Sequence, residues 1–411
     1  MSAGVAGVTP AAIEAVRTAV AAQRPALPLL LAELVTIESH ATQPAGVDAV
    51  GRVVERELAA AGLTWERRRG AVPAPADAWL TDLMLPGADY AGVAHVLVGR
   101  RPGGPGRALL LGDLDTSYEP GATVRFPFRI EGGRALGPGV ADMKGGLVVL
   151  VVALRALRGL SAPAITVVLS PDEQAGSLAS RAVIEAEARG ADWCLCVECA
   201  RDGGSLMGSR GHIGVGRLEV RGLEAHAGSA HSRGASAIEE LAHLVIALQR
   251  LSDPARGLYV TVGQIGGGRR RSVVPGQAWC TVDIRTPDAA AWAALVARMR
   301  EAVASRRDPR TSAELRVRDH RPGVPRADGL IATARRAGAG AGIPFDVVAS
   351  PAAGSSAFAG ALGVPTLDGM GPVGGDLMTD HEHVELESIG ERAALLALTL
   401  HLLASEKGGN A

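Results

Sequence analysis

Gly137-Pro138-Gly139-Val140-Ala141-Asp142-Met143-Lys144-Gly145-Gly146 decides how this 411-residue chain is read. Glycines, which allow tight turns and close backbone approach, frame an aspartate and a lysine, and an unbroken apolar run follows. Residues 145–157 therefore read as a buried helix entered through a glycine-rich loop. On either side, residues 108–111, 164–169 and 193–197 are short apolar runs, the pattern of strands covered on both faces. Strands alternating with helices imply an α/β sheet with helices on both sides. Residues 10–35 and 47–61 carry Ala, Val and Leu at helical spacing.

The pattern changes near residue 209. Residues 212–220 alternate in strand fashion, 235–251 read as an amphipathic helix, and 259–263 and 277–284 as strands. Residues 289–304 form a second helix and 313–317 a last strand. This order, β-α-β-β-α-β, is the ferredoxin-like α+β arrangement. The α/β pattern then resumes and ends in a helix over 386–403. One domain is expected inside another: residues 1–208 and 321–411 build the first, and 209–320 the second.

Hydrophobic residues make up 47% of the chain but aromatics only 3%, so a large core must be built mostly from Ala, Val and Leu. A net charge of -1 argues against a nucleic-acid partner or a polybasic membrane anchor. No apolar run approaches the ~18 residues that a membrane span needs, and residues 1–23 lack the regions of a signal peptide. Cys194, Cys196 and Cys199 cluster, but no second half of a zinc motif matches them. With Cys280, they read as small apolar residues in a reducing cytoplasm, the expected location.

Four acidic segments follow predicted strands, where α/β sheets place their sites. They are Gly112-Asp113-Leu114-Asp115-Thr116, the Asp142 loop, Ser170-Pro171-Asp172-Glu173-Gln174-Ala175-Gly176-Ser177, and Val197-Glu198. One acidic pair is ordinarily a solvated loop. Four acidic strand ends on one sheet need a cation or protonation, because packed carboxylates repel one another.

In this order the segments resemble the zinc-dependent aminoacylase, glutamate carboxypeptidase, acetylornithine deacetylase and succinyl-diaminopimelate desuccinylase family (peptidase family M20-like), over nearly the whole chain. Its members carry G-H-x-D-T, G-x-G-x-x-D-M-K-G-G, D-E-E-x-G-S, a lone acidic residue, and a C-terminal His before a Glu-Tyr-Val-like stretch. The inserted domain carries G-x-x-A-H-A-G, here residues 222–228. The resemblance implies a zinc-exopeptidase-like α/β catalytic domain with an inserted ferredoxin-like lid and dimerisation domain, hence a homodimer. Carried over by position, it makes Asp142 the bridging metal ligand, Glu198 the lone carboxylate ligand and Glu173 the general base. Asp115 becomes the carboxylate that steadies the first ligand. His226 is implied as the oxyanion-stabilising group lent to a partner chain, and Arg285 as the holder of a substrate carboxylate. Ser272 stands where the family has Asn before Val-Val-Pro.

Three positions depart from the family pattern. Asp113 replaces the first His, Gln174 the second Glu of D-E-E, and Met378 the C-terminal His, with His381 and His383 as alternative recruits. One half-site keeps oxygen ligands, Asp113, Asp142 and Glu198, a hard set that suits Mg²⁺, Mn²⁺ or Ca²⁺ as well as zinc. The other keeps only Asp142 beside an amide and a thioether. At most one tight divalent metal (zinc, manganese or magnesium) is expected, or none. The expected reaction is hydrolysis of the amide bond of a small N-acyl amino acid or dipeptide, a substrate bearing a carboxylate. One alternative is a non-hydrolytic biosynthetic reaction (cyclisation, acyl transfer or condensation) in which Glu173 deprotonates an amine or carbon acid. The other is a non-catalytic binding protein.

Overall fold

The computed structural model describes residues 8–85, 90, 92–352 and 354–409. The chain forms two compact units, one of Met1–Ser209, Val324–Ser350 and Gly354–Ala411, the other of Arg210–Gly323 with Pro351–Ala353.

The first unit is built on a six-stranded sheet. Its central strand, Gly104–Asp113, lies between Pro163–Ser170 and Trp193–Cys196 and runs parallel to both. Thr366–Leu367 continues the parallel set beyond Trp193–Cys196. On the other side, Val96–Arg101 and the edge strand Thr64–Arg68 pair antiparallel. The registers Asp113↔Ser170 and Leu111↔Cys196 bring the C-terminal ends of three parallel strands to one edge. Residues just beyond those ends, Asp115, Glu173 and Glu198, leave the sheet on that edge.

Burial explains the strands: Leu109, Leu110, Val167, Val168, Leu195 and Cys196 are inaccessible or nearly so. Apart from Arg155 in its last turn, the helix Gly145–Ala156 is apolar, and it is buried among the helices Leu386–Gly409, Pro10–Gln23 and Pro44–Ala59. Its first turn packs tightly on the end of the third parallel strand, for a Cβ added at Gly146 would stand 2.0 Å from the Val197 carbonyl oxygen.

Where the spacing over residues 10–35 predicts one helix, the chain forms two, Pro10–Gln23 and Leu27–Thr36, joined by a 3₁₀ turn at Arg24–Ala26. Pro25 and Pro28 supply no backbone N–H, so the first helix cannot run on through them. The strands Thr64–Arg68 and Val96–Arg101 have no counterpart in the sequence reading. The first is Thr-Trp-Glu-Arg-Arg, a polar edge strand without a clear alternation.

The second unit follows the order His212–Arg221, Ala237–Gln249, Tyr259–Gly267, Gln277–Thr286, Ala289–Ala304 and Ser312–Arg321. Its four strands stand in the order Tyr259–Gly267, Gln277–Thr286, His212–Arg221, Ser312–Arg321, each pair antiparallel. This is the ferredoxin-like arrangement. Leu218, Leu241, Leu244, Ile284, Leu295 and Met299 close its core between the sheet and the two helices. Ser236 and Asp288 cap those helices, each accepting a backbone N–H three residues on.

The close approach at Gly146 has a measurable consequence. Gly146→Ala forces the helix away from Val197 and is expected to lower the unfolding free energy by about 1–3 kcal/mol. Urea unfolding tests this; an unchanged midpoint would contradict the packing described.

Candidate active site

Asp113 ends the central strand and is 1% exposed. Among the described residues, neither of its carboxylate oxygens has a hydrogen-bond partner. Burial holds its pKa well above the ordinary carboxylate range, and the charges of Glu173, Glu198, Asp115 and Asp142 push the same way. These five carboxylates therefore share one electrostatic neighbourhood. Asp142 is raised to about 8, first by burial, then by Glu173, Glu382 and Asp115. A cis peptide joins Asp142 to Met143. The Gln174 side-chain amide donates to Asp142 Oδ1 at 3.0 Å.

Asp115, which the resemblance implies as the carboxylate that steadies the first ligand, is bonded to backbone here. Its two oxygens accept the backbone N–H groups of Glu173 and Gln174, each at 2.9 Å. It therefore steadies the chain that carries the candidate base, not the residue at 113. The reason is chemical: an imidazole at 113 would offer an N–H to Asp115, whereas a carboxylate offers only another negative charge.

Sequence reading missed the residue that holds the Asp142 loop. Glu382 is fully buried. One of its oxygens accepts the N–H groups of Ala141 and Asp142, at 2.8 and 3.0 Å. The other accepts the Tyr118 hydroxyl at 2.6 Å and the Met378 N–H at 3.1 Å. Its signal in the sequence is the Glu of the Glu-Tyr-Val-like stretch, here Glu382-His383-Val384. Lys144, buried two residues beyond Asp142, donates from Nζ to the Ile37 carbonyl at 2.6 Å. Burial lowers its pKa to about 7.

The C-terminal segment brings no imidazole to Asp142 through any bond among the described residues. Met378 is 57% exposed, with φ 63°. The His383 ring contacts the His381 carbonyl at 3.1 Å and Asp376 at 3.5 Å, and His381 itself is exposed.

In the second unit, His226 is exposed, and its Nδ1 accepts the N–H groups of Gly228 and Ser229 at 3.2 and 3.1 Å. An accepting Nδ1 leaves Nε2 as the ring's N–H donor. Ser272 is exposed, and its carbonyl accepts the Ala227 N–H beside that ring. Arg285 is engaged within its own unit, with Asp283 at 2.9 Å and the Pro351 carbonyl at 2.9 Å.

The sequence pattern of peptidase family M20/M25/M40 matches residues 109–402. This chain belongs to that family. The M20 chain is 28% identical over 389 residues to carboxypeptidase G2 of Pseudomonas sp. (strain RS-16), a match that covers 91% of this chain and 88% of that one. Its fold is similar to that of the aminopeptidase PepT from Bacillus cereus ATCC 10987, with a TM-score of 0.69, 19% identity and coverage of 93% and 99% of the two chains. A tripeptidase from Staphylococcus aureus gives a TM-score of 0.71 at 18% identity, with the same coverage of 93% and 99%. The scaffold is that of a hydrolase acting on amide and peptide bonds.

Enzymes of this family are typically metal-dependent, and the residues here suit part of such a centre. Two buried, unpartnered oxygens on Asp113 match one hard cation. The other half does not match: Gln174 directs an N–H donor at Asp142, and the exposed Met378 adds only a soft thioether. Among the described residues, no three His, Cys, Asp or Glu side chains are grouped as ligands of one ion.

The orphaned Asp113 fixes the sign of a pH effect. In the unfolded chain it ionises near the usual value, about 3.9. In the folded chain it keeps its proton to much higher pH. The folded state then binds more protons above about pH 4, and the ion-free protein loses stability as pH rises. Asp113→Asn removes this loss. In urea with a chelator, the variant is expected to be more stable than the parent by about 1–3 kcal/mol at pH 8, with a smaller gap at pH 5. Equal stabilities at pH 8 would refute the assignment.

Proposed function

We propose that this M20 chain hydrolyses the amide bond of a small N-acyl amino acid or dipeptide, at a centre holding at most one tight divalent ion. The observation that carries this reading is the double clamp from Asp115, which fixes the Glu173 backbone beside the unpartnered Asp113. The likeness to carboxypeptidase G2, and to solved structures of an aminopeptidase and a tripeptidase, supports the bond type.

In this reading, Asp113, Asp142 and Glu198 would hold the ion, which would polarise the acyl oxygen. Glu173 takes the proton of the attacking water on its carboxylate and returns it to the leaving nitrogen. His226, whose Nε2 is left as the donor, suits a developing oxyanion in the partner chain. The free, buried cysteines suit a reducing cytoplasm. No helix among the described residues is long and apolar enough to cross a membrane.

A second reading rests on the Gln174–Asp142 hydrogen bond, which commits the bridging carboxylate to an amide. With that half-site closed to metal, Glu173 serves an amine or carbon acid, and the reaction is an acyl transfer, condensation or cyclisation. Assay of N-acyl amino acids and dipeptides, with elemental analysis of the same sample, separates the two. Metal-dependent hydrolysis with about one ion per chain supports the first; no hydrolysis, with retained ligand binding, supports the second. Two zinc ions per chain would overturn the half-site argument. Glu173→Gln is expected to lower turnover about 10²- to 10⁴-fold with little change in binding, and wild-type turnover by this variant would remove Glu173 from the mechanism.

A homodimer through the second unit completes the proposal. The strand Tyr259–Gly267 ends its sheet, and Tyr259 and Ile265 on it are 44% and 60% exposed, as is Ile246 at 52% on the helix Ala237–Gln249. An open edge bearing exposed apolar groups favours pairing with a second copy. Light scattering at micromolar concentration is expected to give twice the chain mass; a strict monomer would sink this.

A further inference from the structure

The acidic neighbourhood includes one cation that neither the resemblance nor the sequence reading singled out. Arg201 lies three residues beyond Glu198, at the neck of a tight loop. Its backbone pairs with Ser205, and the Ala200 N–H is held by the Pro372 carbonyl. Gly203 and Gly204 close the loop with φ of 65° and 83°, a backbone that suits glycine. Arg392, buried in the helix Leu386–Gly409, donates to the Gly204 carbonyl from beneath. The loop is therefore braced, and it presents a half-buried guanidinium.

That guanidinium is almost uncommitted. Its Nε lies 3.3 Å from the Met207 sulfur, a weak acceptor. Among the described residues its terminal nitrogens make no hydrogen bond and no ion pair. Arginine ordinarily pairs when it leaves water, and acidic groups are at hand. The Gly371 N–H donates to the Glu198 carbonyl and Ala200 pairs with Val373, so the loop is anchored at the strand end that carries Glu198. The neighbouring Lys144 is already committed to the Ile37 carbonyl, and Arg285 to Asp283 and Pro351.

We propose that Arg201 is the anion anchor of the catalytic unit, and that its free terminal N–H groups bind the carboxylate of the substrate in bidentate fashion. Guanidinium and carboxylate match in shape and charge. The anchor sets specificity for free acids over amides or esters. It also brings a fixed positive charge to a neighbourhood where Gln174 and Met378 replace metal ligands. The inference rests on the reading of the substrate as an N-acyl amino acid or dipeptide.

Calorimetry with the metal-loaded, full-length protein tests it independently of turnover. The probes are N-acetylated amino acids and their primary amides. The wild-type chain is expected to prefer the acids. Arg201→Met should weaken acid binding about 10- to 100-fold and leave amide binding unchanged. Arg201→Lys should restore part of the preference, and thermal unfolding of both variants should match the parent. A wild-type chain with no preference, a variant that keeps the preference, or an equal loss for acid and amide overturns the inference. Loss of the preference in a protein that shows no hydrolysis leaves the anchor standing and removes the proposed reaction. Hydrolysis with the preference intact in Arg201→Met does the reverse.

Discussion

Carboxylates gathered where water is scarce repel one another, and the three parallel strands that end together leave them little freedom to separate. Asp113 belongs to the central strand, Glu173 follows the strand on one side, and Glu198 follows the strand on the other. The sheet is apolar on both faces, so the strand ends are fixed by packing that the acidic residues do not supply. What surrounds the acids can be understood as a response to this constraint. Asp115 is satisfied by backbone N–H groups, Glu382 by two backbone donors on one oxygen and a phenol and a third backbone donor on the other, and Asp142 by an amide. Asp113 alone among these is left without a donor among the described residues. A position that folding leaves unsatisfied is where a cation has most to gain.

The fold was legible because its signals are long and redundant. The apolar run after Gly146 has no polar face and fits only an interior helix. In the second unit, two helices and four strands with clear periods allow few arrangements. The boundaries were less legible where proline intervenes, as between residues 23 and 27. The edge strand Thr64–Arg68 was hidden because it has little to bury, and so shows no period to read.

The site was half legible for a related reason. Residue types at strand ends announce a charge cluster, and the motif around Asp142 announces a family. Neither tells which donor meets which acceptor. Asp115 accepts the backbone N–H groups of Glu173 and Gln174, and the sequence does not mark a backbone donor. Three of the four groups that Glu382 accepts are backbone N–H groups, which carry no sequence signal. Arg201 sits in a loop with no periodicity, and arginine is so common in this chain that one more carries little signal.

The amide of Gln174, which donates to Asp142, differs in kind from an exchangeable ion. An ion is exchanged with its surroundings: its occupancy follows supply, competing chelators and pH. A side chain is delivered once per polypeptide, at full occupancy, by translation itself. The donor that folding supplies to Asp142 is therefore present in every copy of the chain, whatever the supply of metal.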